Sequence, residues 1–252
     1  ILTAKIKKEE MAPVKHHLFD IKNIDENYSV EEYQEKVRAC INDILSRNKT
    51  PILVGGTGLY IKACLYDYEF NKQEISNEEI EKKYANYSNE ELFEYLKKID
   101  EKSTLNIHMN NRRRVLRAIS IYETTGVCKS TTIENQTHKP IIDNVIIGLY
   151  LDKEELIERI NLRVDSMVKT GLVDEVKNNK TTSTASKAIG YKEIQDYLDG
   201  KTSLEEAIEL IKIHTRQYAK RQMTWFKHQF DTKWVLNDDK AIDTILELIK
   251  EN

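Results

Sequence analysis

An apolar run that leads through glycines into a helix limits the folds open to this chain of 252 residues. Pro51 ends the preceding helix, and Ile52–Val54 is predicted to be a short, buried strand. The run continues into Gly55–Gly58, with the sequence Gly-Gly-Thr-Gly, and then into a helical segment at 59–65. A strand, a glycine turn and a helix in that order are typical of a parallel α/β sheet.

Helical periodicity and capping residues predict most of the other elements. Paired N-terminal capping residues occur at Ser29 with Glu32, Ser88 with Glu91, Asp152 with Glu155, and Ser203 with Glu206. They predict helices at 29–48, 88–99, 152–171 and 203–230, and further helices are predicted at 111–126 and 241–250. Strands are predicted at 145–151 and 233–236, and a loop at 178–186.

The stretch 71–139 is rich in charge and contains no convincing strand. It is therefore predicted to be an all-helical insertion. The α/β core would then consist of 1–70 and 140–252.

Composition restricts the functional classes. The chain carries 39 basic and 42 acidic residues, a formal net charge of −3, which excludes a wholly basic nucleic-acid binder. Any nucleic-acid site must therefore gather its positive charge locally. No apolar run approaches the ~20 residues of a membrane helix, so no membrane partner is expected.

The potential metal ligands are poorly spaced for a metal site. Cys40, Cys64 and Cys128 are far apart and form no CxxC pair, so a reducing cytosol fits better than a disulfide framework or a zinc site. His16 and His17 lack metal-type spacing to other ligands, which favours a structural or hydrogen-bonding role.

The glycine turn is the first candidate site. Backbone N–H groups at a helix N-terminus favour an anionic or polar ligand, and Thr57 adds a hydroxyl. The Walker A pattern GxxxxGK[ST] is absent from the chain. A tight turn with a helix cap explains the same residues equally well.

The long helix at 203–230 is the second candidate. Successive residues of a helix are rotated by ~100° about its axis, so the residues predicted to be buried share one side of this helix. Four cations share another side, within roughly 80° of arc. The predicted buried residues are Leu204, Ala207, Ile208, Ile211, Tyr218, Trp225 and Phe226, and the cations are Lys212, Arg216, Lys220 and Lys227. Because no acidic residue occurs between Glu209 and Asp231, this basic stripe could contact phosphates. An ordinary solvated face is the alternative.

Two further segments combine cations with other binding chemistry. Arg112–Arg114 with Arg117 could contact RNA phosphates or form structural pairs, and structural pairing is slightly favoured. The segment Lys187–Lys192 contains Gly190 and Tyr191, and could stack a base and contact phosphate. The same segment is equally compatible with an ordinary junction between a loop and a helix.

Taken together and in order, these segments resemble the tRNA dimethylallyltransferase family, also called isopentenyl-diphosphate:tRNA transferases. The likeness runs along nearly the whole chain. The segments that carry it are His16–Ile21 (HHLFDI), Pro51–Tyr60 (PILVGGTGLY), Ala188–Glu193 (AIGYKE) and Thr215–Phe226 (TRQYAKRQMTWF).

The resemblance implies a P-loop-NTPase-like parallel sheet core whose helical insertion embraces the tRNA anticodon stem-loop. It implies transfer of a dimethylallyl group from dimethylallyl diphosphate to N6 of the adenine next to the anticodon, assisted by Mg²⁺, by an enzyme expected to be a monomer. Thr57 would lie at the reaction channel with Gly55, Gly56 and Gly58, and no metal ligand is assigned in the chain. The residues implied to contact tRNA are Lys187, Gly190, Tyr191, Lys192, Arg216, Lys220, Arg221, Gln222, Thr224, Trp225 and Lys227.

The sequence departs from the family at its start. The family's phosphate loop and its general-base aspartate precede the segment that matches Leu2–Lys5, and we expect both upstream of Ile1. Three alternatives stay open. These are prenyl transfer to free adenine nucleotides, a kinase on a P-loop core, and a non-catalytic RNA-binding protein.

Overall fold

Two parallel strands pair in the described part of the chain. In the computed structural model, which describes residues 5–6, 8–11, 13–70, 77–135, 139–179 and 184–251, β1 (Ile146–Tyr150) lies beside β2 (Thr232–Leu236). Ile146 is opposite Thr232 and Tyr150 is opposite Leu236, so the two chains run in the same direction. The strands predicted at 145–151 and 233–236 are confirmed. The result is a mixed α/β fold with a small parallel sheet.

Helices make up most of the remaining structure. The described α-helices are α1 (Val30–Ser46), α2 (Gly58–Leu65), α3 (Asn77–Lys83), α4 (Asn89–Ile99), α5 (Glu101–Thr104), α6 (Arg112–Thr125), α7 (Lys129–Asn135), α8 (Lys153–Lys169), α9 (Leu172–Asn178), α10 (Tyr191–Leu198), α11 (Leu204–Gln229) and α12 (Ala241–Lys250). Short 3₁₀ helices span Lys8–Met11 and Thr184–Lys187. Among the described helices, none has the length and apolar character needed to cross a bilayer.

The chain divides into two units, each with its own core. The first unit comprises Ile1–Cys64 and Asp143–Asn252, and the second comprises Leu65–Ile142. In the first, α8, α9, α10 and α11 pack around Ile160, Val164, Leu172, Val176, Tyr191, Ile194, Ala207 and Ile211. In the second, α3, α4 and α6 pack around Ile80, Tyr84, Leu92, Leu96, Ile107, Val115, Leu116, Ala118 and Ile119. That the segment 71–139 is a tRNA-binding insertion stays a prediction.

Local capping explains where several helices begin. Ser88 and Glu91 form a complete capping box at α4, and Ser203 and Glu206 form another at α11. Each serine oxygen accepts from a backbone N–H, and each glutamate returns a bond to the serine N–H, which satisfies donors that the helix leaves open. Gly126 ends α6 in the left-handed conformation, with φ of 68°. These predicted boundaries are confirmed.

Two predicted capping boxes are incomplete. Asp152 precedes α8 as predicted, but its side chain makes no capping bond. Glu155 pairs instead with Arg159, one turn further along the same helix, at 2.7 Å. At α1, Ser29 accepts from the Glu32 N–H, while the Glu32 carboxylate pairs with lysines.

The predicted strand Ile52–Val54 is wrong. These residues belong to no described strand, and Ile52 and Val54 are 81% and 89% exposed. A strand requires a neighbour that pairs with its backbone groups, and no described backbone group bonds to 52–54. The segment therefore precedes the glycine turn without ladder pairing.

The apolar side of α11 is narrower than its periodicity predicts. Ala207, Ile211 and Phe226 are buried, whereas Tyr218 is 40% exposed, so its predicted burial is wrong. Helix α9 was not predicted, because no element was assigned between the helix at 152–171 and the loop at 178–186. It begins directly after Gly171, whose φ of 110° favours glycine.

A buried carboxylate joins the helices of the second unit. Asp100 ends α4 and begins α5, and it is 4% exposed. It accepts four hydrogen bonds, from the N–H and the hydroxyl of both Ser103 and Ser130, at 2.5 to 3.2 Å. Burial alone would raise the pKa of Asp100, but these bonds favour the ionised form and hold the pKa below its usual value.

We expect Asp100→Asn to lower the free energy of unfolding at pH 7 by about 1–3 kcal/mol, because a hydrogen-bonded carboxylate is lost from a buried position. The native pKa is depressed, so the carboxylate stabilises the fold above its unfolded-state pKa and this contribution is lost as the pH falls through the native pKa. The difference between variant and wild type should therefore shrink below about pH 4. Urea unfolding followed by circular dichroism from pH 7 to pH 3 measures it. The exposed Asp43, which pairs with Arg47, offers the control Asp43→Asn, and a constant difference across this range would contradict the prediction.

Candidate functional site

The glycine turn leads directly into α2. The carbonyl oxygen of Thr57 accepts from the N–H of Tyr60 at 2.9 Å, which closes the first turn of the helix. The Thr57 side chain is exposed. Its hydroxyl is therefore accessible to a ligand at the start of α2.

Helix α11 packs directly on this turn. The Gln222 amide donates to the carbonyl oxygen of Gly56 at 2.7 Å. The Trp225 ring lies against Gly58, and a Cβ on Gly56 or Gly58 would collide with the Gln222 or Trp225 side chain. The Trp225 ring therefore requires a glycine at position 58, whereas the flexible end of the Gln222 side chain could move away from a Cβ at position 56. The structure thus brings together two sets of predicted site residues, the glycine turn and part of the tRNA-contacting segment.

Helix α1 holds the other end of α2. Gln34 and Arg38 both donate to the carbonyl oxygen of Ala63, at 2.7 and 2.8 Å, and Arg38 also donates to that of Cys64 at 3.1 Å. These side chains satisfy carbonyl groups that the end of a helix leaves open. Helix α2 is therefore fixed at both ends, by α11 and by α1.

The cysteine beside this site is not a nucleophile. Burial raises the pKa of the Cys64 thiol to about 11, and the nearby Arg38 offsets this only in part. The thiol is therefore protonated at neutral pH, whereas the reactive form of a cysteine is the thiolate.

The first half of the basic stripe on α11 is neutralised. Lys212 pairs with Asp165 of α8 at 2.7 Å. Arg216 donates to Asn161 of α8 at 3.1 Å and lies 3.6 Å from the Glu209 carboxylate. The inference that this stripe lacks acidic partners, drawn from the absence of acidic residues between Glu209 and Asp231, is therefore wrong for Lys212 and Arg216. Their partners on α8 lie about 50 residues away in the sequence, beyond the reach of a local pattern.

The second half of α11 keeps its charge. Lys220, Arg221 and Lys227 are exposed, and no carboxylate in the described part of the chain pairs with them. Lys227 lies 5.9 Å from the centre of the Trp234 ring, a cation–π contact that leaves its charge intact. The Thr224 hydroxyl is engaged by its own helix, since it donates to the carbonyl oxygen of Lys220 at 3.0 Å.

The Lys187–Lys192 turn contributes two further cations. Lys187 and Lys192 are exposed and, among the residues described, have no acidic partner. Gly190, with φ of 100°, makes the bend before α10. Helix α11 and the Lys187–Lys192 turn together therefore present five exposed cations that no described carboxylate neutralises.

The stacking role proposed for Tyr191 is wrong. Tyr191 is 3% exposed and belongs to the core of the first unit, so its ring offers no face to a base. Its hydroxyl donates to the buried Glu175 at 3.0 Å. Burial, and then this carboxylate, raise the pKa of Tyr191 to about 12.

In the second unit, the arginines of α6 divide into structural and exposed residues. Arg112 donates to the carbonyl oxygens of Tyr84 and Tyr87 at 2.6 and 2.8 Å, and pairs with Glu81 at 3.3 Å. The slight preference for structural pairing is thus confirmed for Arg112. Arg113 and Arg114 are exposed.

Lys129 lies close to other cations of the second unit. Burial, and then the nearby Arg117 and Arg114, lower the pKa of Lys129. Arg114 and Arg117 are three residues apart on α6 and so share a face.

The described side chains offer no ligand set for a resident metal ion. Among the residues described, no three His, Cys, Asp or Glu side chains are close enough to hold one. The described residues therefore do not fit a metal held by the protein alone. His16 supports the hydrogen-bonding interpretation, because its ring Nδ1 lies 2.9 Å from the carbonyl oxygen of Val14.

One pair in this site, between the buried Glu193 and the half-buried His214, was not predicted. Glu193 is 5% exposed, and its carboxylate lies 2.5 Å from Nδ1 of His214 and accepts from the Gly190 N–H at 2.8 Å. The spacing of Gly190 and Glu193 is that of a capping box, which is a usable sequence signal for one of the two bonds. No local pattern predicts the bond to His214.

The chain matches known proteins along nearly its whole length. The IPP transferase family model matches residues 1–229. A Bacillus cereus protein named tRNA dimethylallyltransferase is 44% identical over 98% of this chain and 81% of its own length. The solved structure of the full-length tRNA isopentenylpyrophosphate transferase from Bacillus halodurans is 39% identical, with a TM-score of 0.70 over 99% of this chain and 82% of its own. A eukaryotic dimethylallyltransferase acting on tRNA is 27% identical, with a TM-score of 0.81 over 98% and 69%.

We expect Gly58→Ala to lower the free energy of unfolding by about 1–3 kcal/mol, because the new methyl group would collide with the Trp225 ring. The matched control is Gly55→Ala. A Cβ on Gly55 meets no atom within 4 Å, so that change should stay within about 0.5 kcal/mol of wild type. Urea unfolding followed by tryptophan fluorescence measures both variants, and equal stability of the two would contradict the proposed packing.

Proposed function

The chain belongs to the IPP transferase family, and on that premise we propose that it transfers a dimethylallyl group from dimethylallyl diphosphate to N6 of the adenine next to the anticodon in tRNA. The products are N6-dimethylallyladenosine and diphosphate. The observation that carries the proposal is the dual role of α11. One helix holds the glycine turn through Gln222 and Trp225 and presents the unpaired cations Lys220, Arg221 and Lys227.

The chemistry sets three requirements. The exocyclic amine of adenine is a weak nucleophile because its lone pair is delocalised into the ring. The site must therefore hold the amine in line with the allylic carbon, stabilise the departing diphosphate and accept a proton from the amine. The described residues bear on the first two requirements.

Gly55–Gly58 is proposed to line the channel in which the diphosphate ester binds. Its glycines allow close backbone approach, and the exposed Thr57 hydroxyl can donate to a phosphate oxygen or orient the amine. Gln222 and Trp225 contact this turn from α11, so we assign them to positioning the turn rather than to tRNA contact.

The tRNA backbone is proposed to lie against the unpaired cations. Lys187, Lys192, Lys220, Arg221 and Lys227 are exposed and would gain counterion-release free energy on meeting phosphates. Arg216, which already has partners on its own unit, and Thr224 would border this surface. Gly190 and Tyr191 would shape the Lys187–Lys192 turn from inside.

The finer features of the family belong to the same proposal. We propose that β1 and β2 are part of a P-loop-NTPase-like sheet and that the enzyme acts as a monomer. Mg²⁺ is proposed to enter with the diphosphate, because this ion is usually held by few carboxylates together with substrate phosphates.

The decisive measurement is label transfer from dimethylallyl diphosphate to unmodified tRNA by the full-length protein in the presence of Mg²⁺, with the modified nucleoside identified by mass spectrometry. We expect label on one anticodon-loop adenosine. Label on free adenine nucleotides instead of tRNA, or no transfer, would reject the proposal.

In this assay we expect Thr57→Ala to lower kcat on the order of 100-fold, the usual cost of removing one hydroxyl or amide donor from a reaction centre. The tRNA affinity should change little, and Thr57→Ser should recover most of the activity. The exposed Thr50 gives the control Thr50→Ala, with unchanged kcat expected. Equal turnover of Thr57→Ala and wild type would remove Thr57 from the channel.

We expect Lys220→Ala to weaken tRNA binding and to reduce the slope of log K against log salt concentration by about 1, because one phosphate contact is lost. The control is Lys212→Ala, since Lys212 is already paired with Asp165. Binding titrations at several salt concentrations measure both variants. Identical slopes for Lys220→Ala and wild type would exclude Lys220 from the tRNA surface.

A further inference from the structure

Glu193 is a buried carboxylate with both oxygen atoms engaged. One oxygen accepts from the Gly190 N–H at 2.8 Å, and the other lies 2.5 Å from Nδ1 of His214. A carboxylate oxygen can only accept, so the imidazole Nδ1–H is the donor of the second bond. A hydrogen bond to each of its two oxygen atoms therefore fixes the Glu193 carboxylate.

The bond to His214 joins two separate helices. Glu193 lies in the first turn of α10 and His214 lies near the middle of α11, 21 residues further along the chain. The neighbouring Tyr191 anchors the same turn to α9 through Glu175, at 3.0 Å. The Lys187–Lys192 turn is thus held towards α9 by one bond and towards α11 by another.

Packing alone would not require this polar pair. The residues around it include Ile194, Ala207 and Ile211, which are almost completely buried and hold α10 against α11 by apolar contact. Burying a carboxylate carries a desolvation cost that apolar side chains of similar size avoid. What the pair adds is a directional bond that fixes the bend at Gly190 relative to α11.

The two segments joined by this bond carry the unpaired cations. Lys192 lies between Gly190 and Glu193 and is exposed, and Lys220 and Arg221 lie less than two turns beyond His214 on α11. A phosphate backbone meets two such groups at a lower ordering cost when their separation is already fixed. The Glu193–His214 bond is the described polar link that sets this separation.

We propose that Glu193 and His214 are positioning residues for tRNA binding, which hold the Lys187–Lys192 turn in register with the cationic end of α11. This inference rests on the proposed function. Neither residue needs to contact the tRNA. His214 holds the Glu193 carboxylate, and Glu193 in turn holds the backbone of Gly190.

The test compares His214→Ala with wild type in the full chain. We expect KM and Kd for tRNA to rise about fivefold, because the turn must then be ordered on binding. Both kcat and KM for dimethylallyl diphosphate should stay within about twofold of wild type, since a rise in KM alone indicates lost uniform binding. A merely structural role would instead change all of these quantities together with the thermal midpoint.

Conservative and paired variants sharpen the test. His214→Asn places an amide N–H close to the position of the imidazole Nδ1–H and should recover most of the tRNA affinity. His214→Phe keeps the ring volume without the donor and should match His214→Ala, which also covers the case in which the alanine variant folds poorly. The double variant Glu193→Gln/His214→Ala should bind tRNA no more weakly than the single variant with the lower tRNA affinity, because both substitutions break the same Glu193–His214 bond.

The matched control is His228→Ala, which removes another histidine from the same helix. His228 is exposed, and its side chain forms no bond within the described residues, so tRNA binding should stay near the wild-type value.

The outcomes separate this inference from the proposed function. Wild-type protein that transfers no label to tRNA rejects the function. If the wild type is active but both His214→Ala and His214→Phe bind tRNA with unchanged affinity, only the positioning role is rejected. Parallel losses in kcat, both KM values and thermal midpoint would also overturn it, in favour of a purely structural pair.

Discussion

The contact between α11 and the glycine turn is the interaction on which the rest of the site depends. The Gln222 amide binds the Gly56 carbonyl oxygen, and the Trp225 ring occupies the space that a side chain at Gly58 would need. The turn has no ladder pairing from the preceding segment 52–54, so its position relies on this contact and on the hold of α1 on the other end of α2. The accessible Thr57 hydroxyl is therefore placed by side chains from two distant helices.

Helix α11 connects several parts of the first unit because it is long and its N-terminus is capped. Its 26 residues begin at a complete capping box, which satisfies N–H groups that would otherwise lack partners. Along its length it meets α8 through Lys212, α10 through His214, and the glycine turn through Gln222. A rotation or shift of this one helix would change all three contacts together. The geometry of the proposed tRNA surface and of the proposed channel is thus linked through a single rigid element.

Local signals predicted much of the fold, and they failed where distant residues decide the outcome. The helix starts at Ser88 and Ser203 were predictable because a capping box acts within four residues. The exposure of Ile52 and Val54 was not predictable, because burial depends on a neighbouring strand that the segment itself does not specify. Tyr191 illustrates the same limit within the site. Its ring chemistry suits base stacking, but the Glu175 carboxylate and the surrounding core determine that it lies inside.

The division of the basic stripe follows from the way α8 lies along α11. Asp165 meets Lys212 and Asn161 meets Arg216, so the pairing advances four residues on each helix in opposite directions, as antiparallel neighbours do. The same step from Asn161 leads to Ile157 on α8, while the step from Arg216 leads to Lys220 on α11. If the two helices kept this register, an isoleucine, which offers no acceptor, would face the next cation of the stripe. Lys220 is exposed and pairs with no carboxylate in the described part of the chain, so its charge stays available to phosphates.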